Sequence, residues 1–89
     1  MVNKMITYAT TLFTLEASPK GVRILYLHPY LIDDAQKILN KFAELYQYTS
    51  GPEDFAQTVE IILSAVLDVE VRKAENETYL ISLRLPQFT

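Results

Sequence analysis

The one histidine of the chain, His28, stands five residues before an acidic pair, Asp33 and Asp34. An imidazole beside two carboxylates is raw material for general acid–base work or for a divalent-metal site. A metal centre needs three or four convergent ligands, however, and these three residues are a thin set. The plainer assignment is that His28 closes a strand while the aspartates face the positive end of a following helix. Other chemistry lacks its parts. Gly21 and Gly51 are the only glycines and both stand in turns, so no phosphate-cradling loop is present. No serine-nucleophile motif occurs. Without cysteine there is no thiolate nucleophile, thiolate metal site or disulfide. The expectation is a non-catalytic protein with no cofactor and no metal.

A second set of candidates is more coherent. Arg23, Arg72 and Arg84 are all the arginines of the chain, and each lies in a strand-like segment, alternating with the main apolar side chains. With a strand period of two, all three share one face of a sheet. Leu25, Leu27, Leu80 and Ser82 are expected on that face as well. Arginine beside uncovered leucine is an interface composition, because the guanidinium is weakly hydrated and stacks or forks readily. The expected contact surface is therefore Arg23, Leu25, Leu27, Leu80, Ser82 and Arg84, covered by a second copy of the chain or by another protein subunit. A different use of the same arginines is phosphate binding by Arg23, Arg72 and Arg84 in a nucleic-acid-associated regulator. Tyr26, Tyr30 and Tyr79, near strand ends, would then supply stacking platforms.

Charge separates these two readings. The formal net charge is −3. From Leu31 to Asp68, seven acids meet only Lys37 and Lys41, whereas the remainder carries six bases and four acids. The helical part is acidic and the sheet part only mildly basic. That balance opposes simple attraction to phosphate and favours the protein-contact reading.

The elements that must position these residues are legible as follows. Met5 to Leu15, rich in Thr, Tyr, Phe and Ile, suits a half-buried strand. Ala17-Ser18-Pro19-Lys20-Gly21 is a turn. Val22 to His28 is a second strand, apolar on both faces, with Val22, Ile24 and Tyr26 on one side and Arg23, Leu25 and Leu27 on the other. Past Pro29, the spacing of Ala35, Ile38, Leu39, Phe42, Leu45 and Tyr46 predicts an amphipathic helix. Ser50 and Glu53 have the spacing of a capping box for a second helix, with Pro52 just inside it. Phe55, Val59, Ile62, Leu63 and Val66 are its expected core stripe. Ile61 and Ala65 widen the stripe, so this helix is either the more buried of the two or touches something else. Val69 to Lys73 and Tyr79 to Leu85 are the last two strands, joined by a turn at Ala74-Glu75-Asn76-Glu77.

The expected fold is thus a single α+β domain over residues 1–89. Its order is ββααββ, a four-stranded, mainly antiparallel sheet with two helices packed on one face. A chain of this length buries only about 60–65% of its unfolded surface, so a partner surface would add materially to its stability. No apolar run reaches the roughly 18 residues of a membrane span. The start of the chain, Lys4 and the partly apolar run to Leu15, is broken by Thr7, Thr10, Thr11 and Thr14 and does not suit a signal peptide. A cytoplasmic protein is expected, given the absence of cysteine, and in that compartment the glycosylation pattern Asn76-Glu77-Thr78 is idle.

Overall fold

The computed structural model describes residues 10–86 and has the expected order of elements. β1 (Thr11–Ser18) and β2 (Gly21–Leu27) form a hairpin, α1 (Ala35–Gln47) and α2 (Pro52–Leu63) follow, and β3 (Asp68–Lys73) and β4 (Tyr79–Arg84) form a second hairpin. Residues 5–9 of the expected first strand lie outside the described residues, and the strand continues three residues past Leu15. The sheet is antiparallel throughout, in the order β2-β1-β4-β3, so the two hairpins join through their first and last strands. It is an α+β fold with both helices on one face of the sheet. Among the described residues no helix is long and apolar enough to cross a membrane.

Strand alternation builds the core in rows. Leu27, Phe13, Leu83 and Val69 lie across the four strands in register, and Ile24, Leu15, Ile81 and Val71 form the next row. Phe13, Leu15, Ala17, Ile81 and Leu83 are buried against Phe55, Ala56 and Val59 of α2. α1 lies over β2, the edge strand, whereas α2 lies over β1, β3 and β4. That placement makes α2 the more buried helix, as expected. It has three buried residues and α1 has none. Aromatic rings join the layers: Phe42 of α1 lies 5.6 Å from Phe13 and 6.4 Å from Phe55, and Tyr46 lies 5.4 Å from Phe55. Such tilted and edge-on arrangements suit the ring quadrupoles.

Three local features depart from the sequence reading. In β2, Tyr26 pairs with Thr14 and Ile24 with Leu15, which leaves Leu25 as the extra residue of a bulge. The extra residue reverses the alternation. Leu27 therefore points into the core, and Tyr26 turns to the opposite face. Between Pro29 and Asp34 the chain forms a 3-10 helix, so Asp33 and Asp34 precede α1 and do not occupy its first turn. The third departure is at the start of α2. Gly51, with φ of 154°, is the N-cap and has Pro52 behind it. Asp54, not Glu53, reaches back, and its Oδ2 accepts from the Ser50 amide at 2.9 Å. A capping serine would occupy the cap position itself, but here the helix begins one residue later.

Candidate interface on the open sheet face

The helix-free face is organised in rows of its own. Tyr26, Thr14, Ser82 and Glu70 lie across β2, β1, β4 and β3, and Arg23, Glu16, Leu80 and Arg72 form the next row. Thr11, Arg84 and Asp68 make a third. The three arginines do share one face, as strand periodicity requires. Leu80 and Ser82 lie among them. Leu25 is on the bulge and 47% exposed, and Tyr26 beside it is 44% exposed. Leu27 is not part of this surface, because it packs against the core cluster. The bulge replaces it with Tyr26, a larger side chain with an apolar body and a polar tip.

Charge on this face is internally compensated. Arg23 forms an ion pair with Glu16 directly across the β1–β2 pair. The hydrogen bond that Arg23 Nε donates to Glu16 Oε1, and then the negative charge of Glu16, raise the Arg23 pKa above its ordinary value. Arg84 forks across the β3–β4 pair: Nη1 donates to Glu70 Oε1 at 2.9 Å, and Nη2 lies 3.1 Å from Asp68 Oδ2. Its Nε is buried and has no partner among the described residues. Arg72 forms no ion pair among the described residues. Arg23 and Arg84 thus meet all three carboxylates, and with Arg72 the charges of the three rows balance in number. Between the charged rows, the Thr14 and Ser82 hydroxyls meet at 3.3 Å across β1 and β4. An open cleft of about 600 Å³ continues the face to the two hairpin turns, with Glu16, Ser18, Lys20, Arg23, Asn76 and Thr78 in its walls.

Both sheet edges are poor sites for further strand pairing. β2 carries the bulge at Leu25, and β3 carries Asp68, Glu70, Arg72 and Lys73. Bulges and charged side chains are the usual means by which edge strands avoid pairing with other chains.

His28 takes part in a helix cap. Nδ1 of His28 accepts from the Tyr30 amide at 3.1 Å, which caps the 3-10 helix, and the two rings stack at 5.8 Å. Asp33 and Asp34 are exposed. Among the described residues no group of three or more His, Asp or Glu is arranged to hold a metal ion.

The acidic partners of the arginines were not part of the sequence reading, although a signal for one of them was present. Counting outward from Pro19-Lys20 pairs Ser18 with Gly21, Ala17 with Val22 and Glu16 with Arg23. Compared with known protein families, curated proteins and solved structures, the chain matches none.

Proposed function

We propose that the protein is a small, non-catalytic interaction module that pairs through its open sheet face with a second copy of itself or with another subunit of a small complex. The observation that carries this reading is the composition of that face. Its charges cancel within the face while Leu25, Tyr26 and Leu80 stay uncovered by either helix. A charge-neutral face does not repel its own copy, and burying aromatic and aliphatic side chains supplies the driving force. The two protected edges leave face-to-face packing as the available geometry. A cysteine-free chain of this kind suits the cytoplasm.

The nucleic-acid reading has less support. Arg72 is open to phosphate, but at the other two arginines phosphate would have to displace Glu16 from Arg23, and Asp68 and Glu70 from Arg84, on a face whose three arginines are matched in number by three carboxylates. Light scattering at tens of micromolar, where weak to moderate association is measurable, tests the proposal. A mass about twice the 10.2 kDa of the chain is expected for self-pairing. The double substitution Leu25→Glu/Leu80→Glu should return the protein to a monomer without loss of helical signal. A strict monomer that also captures no protein partner through this face would sink the reading. Salt-sensitive binding to DNA or RNA that is lost on Arg84→Glu would replace it with the alternative.

A further inference from the structure

A second surface lies on the opposite side of the molecule. Ile61, Ile62 and Val66, expected partly as core, are 76, 54 and 64% exposed, and Ala65 between them is exposed as well. α2 ends at Leu63, and the chain turns tightly after it: the Ser64 amide returns to the Glu60 carbonyl, and the Val66 and Leu67 amides both return to that of Leu63, which keeps positions 61, 62, 65 and 66 together at the carboxyl end of the helix. The inner side of the same helix is already occupied by Phe55, Ala56, Val59 and Leu63. The stripe is thus an apolar surface in excess of what the core needs.

Its electrostatic setting is one-sided. Residues 52–67 carry Glu53, Asp54 and Glu60 and no base; Asp68 belongs to the open sheet face, where it pairs with Arg84. The last turn of α2 has no basic residue, so the negative end of its dipole is unmatched beside the stripe. A second copy of this surface would bring like charge against like charge. Four side chains at one helix end also fall far below the roughly 800 Å² that each partner buries in a stable dimer. The surface fits one side of a single helix. The geometry points to a docking site at the carboxyl end of α2, at Ile61, Ile62, Ala65 and Val66, for a basic amphipathic helix of another protein. The aliphatic residues of that helix cover the stripe while its Lys or Arg residues meet Glu60 and the carboxyl end of α2.

This site is independent of the open sheet face, and its test leaves that face untouched. The probe is an 18-residue amphipathic peptide with Leu at i, i+3, i+4 and i+7 and Lys elsewhere. A Glu-for-Lys version with the same leucines and a scrambled Leu/Lys version serve as controls. Titration of labelled peptide into the intact protein, read by fluorescence anisotropy, should show binding of the patterned Lys peptide alone. Ile61→Ser/Ile62→Ser should weaken it by at least about tenfold, the scale of uncovering one aliphatic side chain. Glu60→Lys should weaken it as well. The circular dichroism and solution mass of both variants should stay as in the parent, since the altered side chains are exposed. Equal binding of the scrambled peptide, of the Glu peptide, or of the patterned peptide to the serine variant would overturn the assignment. So would no binding at all.

Discussion

The hydroxyl of Tyr46 donates to the carbonyl oxygen of Ser18 at 2.7 Å, tying the last turn of α1 to the end of β1 across 28 residues of sequence. The same ring packs 5.4 Å from Phe55, so one side chain serves the helix–sheet junction with its tip and the core with its body. Tyr46→Phe should keep the ring contact and leave the Ser18 carbonyl without this donor. A loss of about 0.5–1.5 kcal/mol is expected from urea denaturation, with an unchanged slope. A loss beyond about 3 kcal/mol would mean that the ring itself had moved, because that is the scale of deleting an aromatic side chain from a core.

At the start of α2, the carboxylate of Asp54 accepts from the Ser50 amide, while no side chain caps from position 51. Ser50→Ala should therefore stay within about 0.5 kcal/mol of the parent. Asp54→Ala should cost about 0.5–2 kcal/mol, the range of a lost terminal acceptor at a helix start. The reverse ranking would restore Ser50 as the capping residue.

The β3–β4 turn holds Asn76 and Glu77 at φ of 58° and 57°. Asn tolerates this left-handed region, but Glu has no local compensation for the clash of its Cβ with the backbone. Relief of roughly 1–2 kcal/mol, less the roughly 0.5–1 kcal/mol entropic penalty of glycine, gives Glu77→Gly a net gain of about 0.5–1 kcal/mol. Thermal denaturation should show a higher midpoint. A lower one would mean that the Glu77 side chain contributes more than its backbone costs.

Much of the fold was legible because its elements have clear periods. β4 alternates Tyr79, Ile81 and Leu83 against Leu80, Ser82 and Arg84, and α1 repeats its apolar residues at helical spacing. Where the reading failed, a single residue broke the period. The bulge at Leu25 exchanged the faces of Tyr26 and Leu27, a change that composition cannot reveal because both faces of β2 were already apolar. Asp33 and Asp34 fit a first helical turn by type, but Pro29 opens a 3-10 helix ahead of α1. The stripe at Ile61, Ile62 and Val66 could not be divided into inner and outer residues from spacing alone. A helix apolar over most of its circumference reads the same whether a sheet or a partner covers it.

The pairing of β1 with β4 also governs how the molecule must be made. Each hairpin closes over a short stretch of chain, but the contact of Thr14 with Ser82 spans 68 residues. Neither hairpin alone completes a core row, since Phe13 needs Leu83 and Leu15 needs Ile81 beside it. Long-range closure of this kind is what slows folding, because chain entropy is lost before the contact forms. During synthesis, β1 and both helices leave the ribosome well before β4 does. Until Ile81 and Leu83 emerge, Phe13, Leu15 and Phe55 have no closed interior to enter. The nascent chain therefore exposes its most apolar segments until β4 has emerged, and that strand converts them into a folded domain.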